Sequence, residues 1–121
     1  MKYLMLIYSS PATWNALSHE ERERMERDHA ALYHELVESG EWIGGNALAD
    51  PSMSTAVRVR DGVIMATDGP YAEVKEHLAG YDLVECDSRE RAIEIAARIP
   101  DAGVCGVEIR PIMDMSGSEL W

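Results

Sequence analysis

Hydrophobic and polar positions follow two different periods along the chain, and together these periods predict both strands and helices. In the segment 2–8, residues 3–8 are apolar at both alternating sets of positions, which predicts a strand covered on both faces. Residues 18–39 instead carry apolar positions three and four apart, which predicts a helix with one buried stripe: Met25, His29, Leu32, Tyr33 and Leu36. Ser18 and Glu21 have the spacing of a capping box at the start of this helix, and Gly40 ends it.

The rest of the chain alternates between strands and helices in the same way, with a hairpin in the middle. Two short predicted strands, 55–60 and 63–67, are joined by an Asp-Gly pair that is typical of a tight hairpin turn. A second amphipathic helix is predicted from a cap at Asp87 or Ser88 to about Ile99. We also expect strands at 42–48, 81–86 and 104–110, and one or two helical turns at 72–78.

This order of elements predicts an α+β fold of the ferredoxin-like type, a split βαβ arrangement with an extra hairpin strand. Two helices cover one face of such a sheet, but the first strand is apolar on both faces, so the open face needs a cover as well. A second copy of the chain is the simplest cover, and we therefore expect a homodimer. The predicted domain spans residues 1–115, and residues 116–121 form a short tail.

Composition and charge narrow the classes of function. The chain has 121 residues, of which 46% are hydrophobic, as in one ordinary globular domain. Its formal net charge of −11 disfavours nucleic acid and anionic membrane surfaces as partners. The longest apolar run is far too short to span a bilayer, and the N-terminus lacks the pattern of a secretory signal, so we expect a cytoplasmic protein.

Motifs for metals, nucleotides and disulfides are missing from the sequence. It contains no His-x-His, His-Glu-x-x-His or Cys-x-x-Cys, and no glycine-rich phosphate loop follows a predicted strand. The two cysteines, Cys86 and Cys105, are too few for a disulfide framework and are expected to be reduced. We therefore expect neither a metal nor another cofactor.

The segment 68–81 resembles the signature of the YCII-related, or DGPF-domain, proteins. It contains Asp-Gly-Pro-Tyr-Ala-Glu-Val-Lys-Glu, where that family usually has Asp-Gly-Pro-Phe-Ala-Glu-Thr-Lys-Glu, and Leu, Gly and an aromatic residue follow. The start of the chain, residues 40–48 and residues 107–112 are also similar to the family, so the resemblance extends over roughly residues 1–115. It implies a dimeric α+β barrel, in agreement with the order of elements.

His29 is the main candidate for chemistry. The wider YCII-like group includes proteins with a His–Asp pair in a cleft, whose His lies eleven residues before the Gly that ends the first helix, as His29 does before Gly40. A partly buried imidazole could act as a general acid or base near pH 7, and a packed core histidine is the alternative. The expected orienting carboxylate is Asp68. The alternative is Asp101, since the group's paired Asp follows the second helix.

Five other residues are candidates for ligand binding. Arg22 lies at the margin of the helical stripe and could anchor a substrate carboxylate, and Trp42 could form an apolar wall. Tyr71, Glu73 and Lys75 belong to the signature segment, where Tyr71 could form an aromatic wall of the cleft. Each also has a structural alternative: an ion pair, a turn or core packing.

Two classes of function remain open at this point. The first is cofactor-independent acid–base chemistry on a small cyclic or aromatic substrate, by elimination, isomerisation or hydrolysis. The resemblance supports it, since relatives in the wider group eliminate chloride from chlorinated aromatic degradation intermediates. The second is a non-catalytic small-molecule-binding or accessory regulatory dimer, because the resemblance also suggests a role beside a sigma factor. A purely structural dimer would have its cleft filled by side chains.

Overall fold

The computed structural model describes residues 1–69 and 75–114, and its architecture is α+β. Its helices are α1 (Pro11–Asn15), α2 (His19–Ser39) and α3 (Arg89–Arg98). Its strands are β1 (Lys2–Ser9), β2 (Trp42–Ala47), β3 (Thr55–Arg60), β4 (Val63–Asp68), β5 (His77–Glu85) and β6 (Gly106–Pro111). In this part of the chain, no helix is both long and apolar enough to cross a membrane.

The main sheet has four antiparallel strands in the order β2-β5-β1-β6. Helix α2 connects β1 to β2, and α3 connects β5 to β6, so two βαβ units interleave in one sheet. This is the ferredoxin-like arrangement, and it confirms the predicted fold class. Strands β3 and β4 pair with each other as a separate two-stranded sheet, joined by the predicted turn at Asp61 and Gly62.

Helix α2 begins and ends where the sequence predicts. The Ser18 hydroxyl accepts a hydrogen bond from the Glu21 amide at 3.1 Å, and the Glu21 carboxylate accepts one from the Ser18 amide at 3.0 Å. Gly40 ends the helix in the left-handed conformation, with φ of 80°, which glycine adopts without steric cost. These two caps fix the part of the chain that carries His29.

The hydrophobic core lies between the sheet and the helices α2 and α3. On β1 the side chains of one face are buried, namely Tyr3, Met5 and Ile7. The helices contribute the stripe residues that face them, Leu32, Leu36, Ala92, Ile95 and Ala96, and Ile99 follows directly after α3. The small alanines of α3 allow that helix to pack closely on the sheet.

Several element boundaries differ from the predictions. His77 and Leu78 begin β5 instead of ending a helical turn, because Leu78 pairs with Tyr8 beyond a bulge in β5 at Ala79. Residues 70–74 lie outside the described residues, so the rest of that predicted turn is not tested. Strand β6 starts at Gly106, since the preceding residues close a turn on the Asp101 carbonyl.

Helix α1 was not predicted, although its start signal is present in the sequence. The Ser10 hydroxyl accepts a hydrogen bond from the Thr13 amide at 3.2 Å, and Pro11 occupies the first helical turn. A serine cap followed by proline is a typical helix start, and here it comes directly after the last residue of β1.

Candidate functional site

A cleft of about 340 Å³ lies beside the middle of α2. Its walls include Ile7 of β1, Trp42 of β2 and His29 of α2. Its base is formed by small residues of β2 and β5, namely Gly45, Ala47, Ala79 and Gly80. This volume is within the range of pockets that hold small ligands, about 300–1,000 Å³.

The cleft exists because small residues of two strands lie side by side. In the pairing of β2 with β5, Ala47 lies opposite Gly80, and Gly45 lies opposite Asp82. Further along α2, Leu32 and Leu36 fill the space between helix and sheet. One turn before Leu32, the helix carries the half-buried imidazole of His29. The strand residues opposite this side chain are small, so a cavity remains between helix and sheet.

His29 and Asp101 form a hydrogen-bonded pair at the wall of the cleft. The distance from His29 Nε2 to Asp101 Oδ1 is 2.7 Å. Asp101 lies in the 3₁₀ turn Pro100–Gly103 after α3, and its backbone carbonyl accepts hydrogen bonds from the next turn, which holds the loop in place. Because an ionised carboxylate only accepts, Nε2 donates the proton, and Nδ1 of the neutral ring keeps its lone pair.

The surroundings of His29 favour its charged form. The hydrogen bond to Asp101 is the largest influence, and it raises the pKa of His29 above the ordinary value of 6.5 against the opposing effect of burial. The negative charges of Asp101, Asp82 and Asp28 act in the same direction. The side chain of His29 remains 40% exposed, so both protons and small molecules can reach the ring.

Asp82 is a second carboxylate of the cleft, and the sequence-based reasoning missed it. Burial raises the pKa of Asp82 above the ordinary value of 3.8, and the negative charge of Asp101 adds to this, whereas the charge of His29 opposes it. Asp82 pairs with Met5 and lies in phase with the buried Val84, so its side chain is on the core-facing side of β5. An ionisable residue in phase with buried apolar positions was the signal available in the sequence.

Two of the predicted site residues meet in this cleft, His29 and Trp42. The Trp42 ring also packs edge-on against Tyr33, with centroids 5.1 Å apart. Asp68, the expected partner of His29, is instead an exposed residue of β4 opposite Thr55. The carboxylate bonded to His29 belongs to Asp101, the alternative.

Arg22 and Lys75, two of the other predicted ligand-binding residues, do not line the cleft. Arg22 donates a hydrogen bond from Nη2 to the Trp14 carbonyl at 2.8 Å, and its guanidinium stacks 4.8 Å from the centre of the Trp14 ring. Lys75 is exposed in a bend before β5. Tyr71 and Glu73 lie outside the described residues.

Neither cysteine has the surroundings of a reactive thiol. Both are free, and burial is the main cause that raises the pKa of the Cys86 and Cys105 thiols. A raised thiol pKa lowers the fraction of nucleophilic thiolate at neutral pH. Within residues 1–69 and 75–114, no three Cys, His, Asp or Glu side chains are grouped so that they could hold a metal ion.

Comparison with known proteins finds similarity along almost the whole chain. A family model described as the YCII-related domain matches residues 1–116. An uncharacterized protein of Rhizobium meliloti (strain 1021) is 34% identical over 123 residues, which cover 99% of this chain and 98% of the relative. The matched region includes both residues of the pair, His29 and Asp101.

Proposed function

The chain belongs to the YCII-related family, and from this premise we propose that its cleft performs cofactor-independent acid–base chemistry on a small cyclic or aromatic molecule. The observation that carries the proposal is the 2.7 Å hydrogen bond between His29 and Asp101 at the wall of an open cavity. General acid–base catalysis needs a base in a defined orientation and a cavity beside it that holds the substrate. A carboxylate orients the base here, and the cavity has room for one small ring.

In this proposal His29 takes up a proton from the substrate at Nδ1, and Asp101 stabilises the imidazolium through the hydrogen bond to Nε2. An isomerisation then returns the same proton to a different atom of the substrate, so it needs no co-reactant. An elimination instead expels a leaving group, and a hydrolysis directs the base at water. The apolar walls at Ile7 and Trp42 limit the water that competes for the base.

We expect the protein to isomerise cyclohex-3-enone to cyclohex-2-enone, a neutral single-ring probe of proton transfer. The base removes a proton from the carbon between the carbonyl and the double bond and returns it at the far end of the conjugated system. His29→Gln should lower the rate by about 10²–10⁴-fold, the usual contribution of a general base. Ultraviolet absorbance of the conjugated product measures the reaction.

The pH profile of this reaction has a defined direction. Because the base must be neutral and the pKa of His29 is raised above 6.5, the rate should rise with pH through a midpoint above 6.5. Asp101→Asn removes the main cause of the shift and should move that midpoint down. His34→Gln is the control, since His34 is exposed on the same helix. Equal isomerisation rates for the wild type and His29→Gln would contradict the proposal. Binding of the cyclohexenone without its isomerisation would favour the alternative, a non-catalytic binding protein.

We also propose that the protein is a homodimer assembled through the open face of the main sheet. The alternation of β1 places Leu4, Leu6 and Tyr8 on that face, and strand pairing aligns Leu83 and Tyr81 beside them. Glu108 and Arg110 of β6 lie opposite Leu6 and Leu4 and give the same face charges of both signs. A two-fold axis can pair these charges between copies while the apolar side chains are buried.

Leu6→Glu is expected to separate the proposed dimer, because it places a charge at the centre of the apolar face. Light scattering at micromolar concentration should then give a mass of 13.5 kDa for the variant and twice that value for the wild type. Val37→Glu is the control, since Val37 is 48% exposed on α2, away from the sheet. A wild-type mass of a single chain would refute the assembly without affecting the proposed chemistry.

A further inference from the structure

The ionisable side chains that line the cleft include more acidic groups than basic ones. Among the described residues that line it, Asp82 and Asp101 carry carboxylates, His29 is the one group that can become cationic, and no lysine or arginine is present. With both carboxylates ionised, the three groups have a net negative charge whether His29 is protonated or neutral. Arg22, which could have anchored an anionic ligand, binds Trp14. This balance disfavours a substrate carboxylate at neutral pH.

The two carboxylates differ in their hydrogen bonding. Asp101 accepts from His29, whereas no donor within residues 1–69 and 75–114 reaches the carboxylate of Asp82 at hydrogen-bond distance. Asp82 is nevertheless only partly exposed, so it has lost part of its hydration without gaining a protein donor. A ligand that brings a charged N–H group would supply the missing hydrogen bond and the missing counter-charge.

Asp82 also lies next to the aromatic wall. A Cβ placed on Gly45 would be 2.6 Å from Asp82 Oδ1 and 2.7 Å from Trp42 Cη2, so the carboxylate and the indole ring border the same small space. A ring that packs against Trp42 can therefore place a short amino substituent at Asp82. The apolar surface and the carboxylate that lacks a protein donor together specify a compact ring with one cationic arm.

We propose that the cleft selects small cyclic molecules that carry a protonated amine, and that Asp82 is the residue that binds this amine. The inference rests on the proposed function in so far as both assign the ligand to the cleft of His29. It adds a substrate class and a binding residue outside the His29–Asp101 pair. The acid–base step itself does not depend on it, because a neutral ring could react at His29 without engaging Asp82.

Three single-ring probes of nearly equal size test this selection: benzylammonium, benzyl alcohol and benzoate. Titrations followed by NMR shifts of the Gly45 and Asp82 amides report binding in this cleft. We expect benzylammonium to bind at least about tenfold more tightly than benzoate, as one charge-assisted hydrogen bond would produce. Asp82→Asn should weaken benzylammonium binding about tenfold and leave benzyl alcohol within about twofold, which also shows that the variant retains its cleft.

Asp28→Asn is the matched control, because Asp28 is an exposed carboxylate on α2 whose charge also acts on His29. It should leave the order of the three probes unchanged. Benzoate binding as tightly as benzylammonium, equal effects of the two Asp→Asn substitutions, or no benzylammonium binding at millimolar concentration would overturn the inference. Isomerisation of the neutral enone is measured separately, so either proposal can fail while the other stands.

Discussion

Replacing Leu36 by alanine is expected to remove about 2–5 kcal/mol from the free energy of unfolding. Leu36 is 1% exposed and belongs to the core cluster between α2 and the sheet, together with Tyr3, Met5 and Val84. Truncation loses the transfer free energy of the removed methyl groups and leaves a cavity that rigid strands on the other side cannot fill. Because a domain of this kind is stable by about 5–15 kcal/mol in total, the loss is large.

Val37→Ala is the matched control for Leu36→Ala. Val37 is the next residue of the same helix and is 48% exposed, so its truncation should change the unfolding free energy by less than about 0.5 kcal/mol. Urea denaturation of both variants measures the difference. Similar losses of unfolding free energy for the two variants would show that α2 is not anchored on the sheet by its Leu32–Leu36 side. The explanation of the cleft as the space that these leucines leave unfilled would then be wrong.

Helices α2 and α3 and the central strand β1 could be predicted because their signals are local. The capping box at Ser18, the glycine at position 40 and the stripe through Leu32 and Leu36 all lie within one segment, and each agrees with the others. The start of β5 could not be predicted in this way. Leu78 is placed in the strand by pairing with Tyr8, a contact across the fold that no local pattern contains.

The candidate site was predictable only in part, for a related reason. His29 lies in the helical stripe, so its inward direction follows from spacing alone. Its hydrogen-bond partner is 72 residues away, and two acidic turn residues, Asp68 and Asp101, were both compatible with the local sequence. The docking of the turn after α3 beside α2 decides in favour of Asp101, and this is a property of the tertiary fold.

Gly45→Ala is expected to obstruct the cleft and to lower the unfolding free energy by about 1–3 kcal/mol. The new Cβ would be 2.6 Å from Asp82 Oδ1, 2.7 Å from Trp42 Cη2 and 2.8 Å from the backbone oxygen of Tyr81. The two side-chain ends can rotate away, but the Tyr81 carbonyl is part of the β2–β5 pairing, so the strand itself must shift. Both the amine acceptor and the aromatic wall are then displaced, and we expect benzylammonium binding to be lost.

Gly44→Ala separates this steric effect from the general cost of changing a glycine in β2. Gly44 points to the opposite face of the strand, where a Cβ meets no described atom within 4 Å. That variant should keep its stability within about 0.5 kcal/mol and bind benzylammonium as the wild type does. Since Gly44 borders the proposed dimer face, the mass of both variants is measured alongside. If Gly45→Ala retained binding and stability equal to those of Gly44→Ala, the close approach of β2 to Asp82 would not shape the cleft, and small cyclic amines would have to be recognised elsewhere.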